Sequence, residues 1–292
     1  MTYVVLYAEF FARYPWVFIL LVAFLSAMIG SFLNVVIYRL PIMLERQWQT
    51  QAKEILTIKQ DHSAAPFGLA HPNSHCPHCQ HKITLWHNIP ILSYFFLAAK
   101  CANCQAPIPM RYMLVELIST LVGGVLAWAL GFDLTLLAVL ILVFSCVVLF
   151  MIDLEHHLLP DQITLPLLWI GLLVNMVGMF TSLQDAVLGA IFGYLILWGI
   201  YWIFKFATKK EGMGYGDFKL LACFGAWLGW PSLLLILLMS SLIGILSAVL
   251  LKYTKGHDYN KPFAFGPSLI IAGLITLFYG DALTNAYFQL LL

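Results

Sequence analysis

The 292-residue chain is predicted to be an all-α polytopic membrane protein, with about eight transmembrane helices and one small polar domain between spans 1 and 2. Three observations predict it. Hydrophobic residues make up 62% of the chain and charged residues 10%, against about 45–50% and about 25% in soluble domains. So few charges cannot cover a water-facing surface, which excludes a soluble globular enzyme, a disordered chain and a nucleic-acid binder. Apolar runs of membrane-spanning length recur along the sequence. The one long polar stretch carries two Cys-x-x-Cys pairs, a metal pattern and not a disulfide pattern.

A span needs about 20 mostly apolar residues. The first runs from Trp16 to Tyr38 and stops at Arg39, and the chain is then polar from Pro41 to Met110. Seven further runs follow, at 112–130, 134–152, 164–180, 186–204, 218–230, 232–251 and 263–290. The sixth span, 218–230, reaches only about 20 Å of a hydrocarbon core of about 30 Å. It reads as a short span with its ends below the membrane surface; a re-entrant segment is the alternative. The predicted organisation is a first span (1–38), a metal-binding domain (39–111) and a seven-span domain (112–292).

Charge placement orients the spans. Of fifteen Lys and Arg, only Arg13 precedes the first span, while the other fourteen fall in or beside 41–110, 205–219 and 252–261. The loops at 131–133, 181–185 and 230–231 carry none. The positive-inside rule puts the basic side in the cytoplasm and both termini outside. The amino terminus lacks a basic n-region and a small-residue cleavage site, so it does not read as a removable signal peptide.

Within the polar domain, Glu45–Gln60 reads as a short amphipathic helix, with Trp48, Ile55, Leu56 and Ile58 for apolar contacts, and Asp61–Asn73 as loop. Cys76-Pro-His-Cys79 and Cys101-Ala-Asn-Cys104 follow, twenty-one residues apart. Two such knuckles match a four-thiolate, zinc-ribbon-like site, each placing two sulfurs about one tetrahedral edge apart. A structural Zn2+ on Cys76, Cys79, Cys101 and Cys104 is expected, over a redox pair or incidental thiols. A reducing cytoplasm argues against disulfides. His75, His78 and His81 crowd the first knuckle and read as solvated, and Cys146 and Cys223 as membrane-packing residues.

Ionisable residues against a bilayer are functional candidates by default. Glu116 lies a turn into the second span and reads as a structural anchor. Asp161 follows Leu159-Pro160 and reads as an N-cap of the fourth span. Asp153 ends the third span, where the helix dipole opposes its charge. Asp217 closes Gly212-Met-Gly214-Tyr-Gly216-Asp217 and opens the short sixth span, behind backbone that a peptide can approach closely. Asp153 and Asp217 thus share a membrane face. Two facing carboxylates are what an aspartyl protease needs, one ionised to activate water and one protonated to polarise the scissile carbonyl.

These motifs together resemble the type IV prepilin peptidases, bacterial inner-membrane leader peptidases of the GxGD aspartyl protease group. The resemblance covers nearly the whole chain. It is carried by Gly30-Ser-Phe-Leu-Asn34-Val-Val-Ile-Tyr38-Arg39-Leu-Pro41, by both knuckles with Asn88-Ile-Pro90 between and Arg111-Tyr112…Glu116 after, by Asp153…Leu159-Pro160-Asp161, by Gly214-Tyr-Gly216-Asp217-Phe-Lys219, and by Phe263-Ala-Phe-Gly266-Pro267. The resemblance implies Asp153 and Asp217 as the catalytic pair. It also implies cleavage of the basic leader of prepilins and pseudopilins after a glycine, at a cytoplasm-facing site, with N-methylation of the new terminus by S-adenosyl-L-methionine. No glycine-rich nucleotide loop is present, and no residue takes a donor-binding role. A leader peptidase without methylation is the alternative, and a zinc-stabilised carrier a third reading. Basic leaders are expected to meet some of Glu45, Glu54, Glu116 or Glu155 through opposite charge.

Overall fold

The computed structural model describes residues 2–57, 67–210, 212–255 and 264–291. Ile58–Gln60, Asp61–Pro66 and Phe263 of the late Gly-Pro motif lie outside them. The chain divides into two compact units, Met1–Val148 and Leu149–Leu292.

The first unit opens with α1 (Thr2–Arg13), a helix absent from the sequence reading, and α2 (Pro15–Ile55). Pro15 sits in the first turn of α2, where its missing N–H costs nothing. The sequence reading ends a span at Tyr38 and begins a new helix at Glu45; instead α2 runs unbroken for 41 residues through Pro41. An internal proline gives up one backbone bond, and buried Leu40, Pro41 and Leu44 carry the helix across it. At about 1.5 Å per residue α2 is about 60 Å long, twice the hydrocarbon core, so its last turns project beyond the membrane. Among the described residues Trp48, Ile55 and Leu56 are exposed there, and not buried in apolar contacts as expected.

After a single 3-10 turn at Leu85–Asn88 come α3 (Leu92–Phe96) and α4 (Met110–Leu130). α4 packs on α2 through small residues, Gly30 against Ser119 and Ser26 against Gly123, the means by which membrane helices approach closely. The division between the units falls within α5 (Leu134–His156).

The second unit adds α6 (Asp161–Asn175), α7 (Leu183–Thr208), α8 (Tyr215–Leu228), α9 (Ser232–Lys255) and α10 (Gly266–Leu291). α8 is its centre. Phe218 and every residue from Leu220 to Trp227 are buried, against α6, α7, α9 and α10. Gly189 of α7 meets Gly225 of α8 backbone to backbone, and Gly193 lies on Leu221 and Ala222. Cys146 and Cys223 are buried, as expected of packing residues.

The fourth span is shorter than its apolar run, ending at Asn175 instead of 180. Asn175 Oδ1 accepts from the Phe180 and Thr181 amides, while Nδ2 donates to the Ala226 and Trp227 carbonyls in the last turn of α8. One buried amide thereby pairs backbone groups that helix ends leave open. Among the described residues six helices, α2, α4, α5, α7, α9 and α10, are long and apolar enough to cross a membrane. α6 and α8, of fifteen and fourteen residues, are shorter. This is a multi-pass membrane protein.

Candidate active site

In the second unit two carboxylates come together from opposite kinds of helix end. Asp153 lies in the last turn of α5 and is 5% exposed; Asp217 lies in the first turn of α8 and is 8% exposed. They are near enough for the charge of Asp153 to act on Asp217. The Asp217 carboxylate reaches back to the amide of Gly214, the N-cap of its own helix, as acids in a first turn do.

Asp153 has a compensation that local sequence does not contain. The N–H of Gly266, the first residue of α10, faces its carboxylate, so the free amides of one helix start offset the dipole of another helix end. A Cβ at Gly266 would stand 2.5 Å from Asp153 Oδ2, so only glycine lets the backbone come this close. Asp153 Oδ2 is buried and has no hydrogen-bond partner among the described residues. Buried Leu159 fills the space beside Gly216 and Gly266, which holds the two motifs together.

Asp161 does not join this pair. The N-cap of α6 is Pro160, with no side-chain cap, which corrects the reading of Asp161 as a cap. Both Asp161 oxygens instead accept from Lys219 Nζ at 2.7 Å, tying the start of α6 to the second turn of α8.

In the first unit the four knuckle sulfurs lie within 4.8 Å of one another. Cys76 and Cys104 Sγ are 3.8 Å apart, and Cys79 and Cys101 Sγ 4.0 Å. Metal–sulfur bonds of about 2.3 Å in a tetrahedron give an edge of about 3.8 Å, so the cluster fits a zinc ion. The knuckles are built alike. Cys76 N–H donates to His81 O and Cys101 N–H to Ala106 O, and Gln80 and Gln105 take the same left-handed conformation, each at φ 58°. The Asn103 amide donates to Cys79 Sγ and, as the largest cause, holds that thiol down at about 6, the direction a metal ligand requires. His78 and His81 are exposed, as expected, and His75 faces the Asn73 carbonyl.

The Bacterial Peptidase A24 N-terminal domain model matches residues 24–130, and the type IV leader peptidase family model matches 140–249. A "Prepilin leader peptidase/N-methyltransferase" of Stutzerimonas stutzeri is 50% identical over 96% of this chain and 97% of its own. The chain belongs to the type IV leader peptidase family. Relatives of the same name from Aeromonas hydrophila and Neisseria gonorrhoeae are 52% and 45% identical, over 94% and 91% of this chain and 94% and 92% of theirs. No solved structure matches.

For this leader peptidase family member, the sequence reading names both carboxylates and all four thiols that the fold brings together. It gives no role to Gly266, to Leu159 or to the Asp161–Lys219 pair. The glycine-proline motif marks the start of α10, whose free amides favour a carboxylate, but nothing local in the sequence pairs it with Asp153.

Proposed function

We propose that the chain is a membrane aspartyl endopeptidase and N-methyltransferase of the bacterial inner membrane, with its active site facing the cytoplasm. It cleaves the basic leader of type IV prepilins and type II secretion pseudopilins and methylates the amino-terminal residue so exposed. The observation that carries this reading is the meeting of the buried carboxylates of Asp153 and Asp217.

In this reading one carboxylate is ionised and takes a proton from water as the water oxygen attacks the scissile carbonyl. The other is protonated and donates to the carbonyl oxygen; the proton taken from water then passes to the leaving amine. Two carboxylates this close in a site poor in water share a single proton. Asp153 Oδ2, with no partner among the described residues, is the acceptor that the attacking water needs. Open backbone at Gly214, where a Cβ would meet nothing nearer than 3.9 Å, gives the extended peptide its approach.

Cys76, Cys79, Cys101 and Cys104 hold a structural Zn2+. Four thiolates close the tetrahedron, so this metal folds its segment and takes no part in hydrolysis. S-adenosyl-L-methionine supplies the methyl group: the C–S bond breaks as the N–C bond forms, sulfur keeps the electron pair, and the amine proton leaves to water. The placement of fourteen of fifteen basic residues supports the cytoplasmic orientation.

The test is incubation of the purified protein with a prepilin and methyl-labelled S-adenosylmethionine. Leader loss and label on the shortened product are expected together. Leader loss without label would select a peptidase that lacks methylation, and retention of the leader would overturn the reading.

A further inference from the structure

The motif residues that the aspartate site does not use converge elsewhere. A cavity of about 430 Å3 lies in the first unit, walled by α2, the start of α4, the knuckles and the 85–97 segment. Asn34 and Arg39 of the first-span motif, Asn88 between the knuckles, and Tyr112 and Glu116 after them all line it. We infer that this cavity binds the methyl donor, an adenosyl sulfonium amino acid. The inference rests on the methyl-transfer half of the proposed function.

Size permits it, since cavities for ligands of this class run from about 300 to 1,000 Å3. The unsatisfied chemistry then selects the ligand. Asn34 is 3% exposed; its Nδ2 donates to the Tyr112 carbonyl, and its Oδ1 is buried with no partner among the described residues. A buried acceptor left open in this way wants a donor from a ligand. Arg39, the buried cation on the wall, is already taken up by the carbonyls of Gly68, Leu69 and Pro72. Arg46 lies over the Phe67 ring at 4.3 Å. The wall further offers the open Asn34 acceptor, the Glu116 carboxylate and the Tyr38 and Tyr94 rings, a set suited to an ammonium and a sulfonium, beside four histidines and the Cys76 and Cys101 thiols. Lys82, also on the wall, matches the ligand's carboxylate.

Glu116 is held in a way that an anchor does not require. Its Oε2 accepts the Ile91 N–H at 2.7 Å. Ile91 has φ 63° and ψ −53°, and the Leu92 N–H bonds to Pro90 O at 2.6 Å. That is the rare γ-turn of positive φ, at a β-branched residue where such a φ is a true outlier. Strain of this kind gathers at ligand clamps, and here it presents one backbone amide to one carboxylate on the cavity wall.

The test uses the full chain in detergent. Equilibrium binding of S-adenosylmethionine and S-adenosylhomocysteine is measured for the unaltered protein, Glu116→Gln and Asn34→Leu, with zinc content and melting temperature as checks on folding. Each variant is expected to lose at least about tenfold in affinity for S-adenosylmethionine (about 1.4 kcal/mol) while keeping its zinc. Glu116→Gln can still accept the Ile91 amide, so it tests the charge without removing the clamp. In parallel, photo-crosslinking of labelled S-adenosylmethionine to the unaltered protein is expected to mark peptides within 31–116. Unchanged affinity in zinc-retaining Glu116→Gln, or label confined to 149–292, overturns the inference. An unaltered protein that cleaves prepilin yet neither binds the donor nor transfers methyl overturns the methylation reading itself, and the inference with it.

Discussion

Asp153 stands in the last turn of α5, where a helix dipole opposes a negative charge, and the amide of Gly266 at the start of α10 faces it. Asn at either carboxylate cannot act as general base or hold the shared proton. Asp153→Asn and Asp217→Asn are therefore each expected to abolish leader cleavage, by a factor of about 100 or more, with insertion and zinc content unchanged. Normal cleavage by either would reassign the pair. Gly266→Ala makes a sharper probe. Its methyl would press on Asp153 Oδ2 from 2.5 Å, so cleavage should fall by about tenfold or more through misplacement alone. Equal rates for Gly266→Ala and the unaltered protein would show that the contact is slack. Asp161→Asn should keep most activity, because its partly exposed pair with Lys219 is worth at most about 1 kcal/mol. Loss of cleavage in a stably folded Asp161→Asn would give that pair a part in the reaction. At this scale both aspartates are legible in the sequence, since a charge at an apolar boundary stands out wherever it falls. Gly266 is not legible as a partner, because its meaning is an approach between residues more than a hundred positions apart.

The knuckles are elements whose spacing alone announces them, and their repeated turn, with Gln80 and Gln105 in matching conformations, explains why each cysteine pair can present two sulfurs to one point. Serine at any of Cys76, Cys79, Cys101 or Cys104 should lower the zinc content measured by metal analysis, and activity should fall with structure. Full zinc in a Cys76→Ser, Cys101→Ser double variant would remove the metal from the account. The Cys79 thiol lies below its ordinary 9.0, at about 6. A thiol held low is ready to ligate metal, and protons compete with the metal for it as pH falls. Zinc release on acidification is therefore expected, measured by metal analysis across a pH series, and zinc held unchanged into strong acid would argue against thiolate ligation. α2 is the element least legible in advance. Arg39 and Pro41 read as a stop, yet Arg39 turns its guanidinium to the carbonyls of Gly68, Leu69 and Pro72 and becomes the fastening of the loop before the first knuckle. A long-range role of that kind leaves no periodic trace. The end of α6 is hidden for the same reason, since Asn175 terminates it through groups on α8.

Across the whole molecule, the asymmetry of basic residues makes orientation an experiment. Reporter domains inserted at 131–133 or 181–185 should report the outer side, and those inserted at 209–210 the cytoplasm. The opposite pattern would invert the protein and remove the prepilin leader from reach. Prepilins whose leader lysines are neutralised should be cleaved less efficiently, because opposite charge at the membrane edge orients the substrate; unchanged efficiency would exclude that docking. α6 is short for a membrane helix. It ends at Asn175 after fifteen residues, about 22 Å, and it presents Leu165, Trp169 and Leu173 outward. Lipids beside it must shorten to match, or leave apolar side chains and acyl chains facing water. A bilayer thinned on the flank of the unit that holds the aspartates would make hydrophobic mismatch a control on cleavage. In vesicles made from a series of lipids, cleavage should quicken as acyl chains shorten toward that length and slow as they lengthen, and a rate indifferent to chain length would mean that the thinning does nothing.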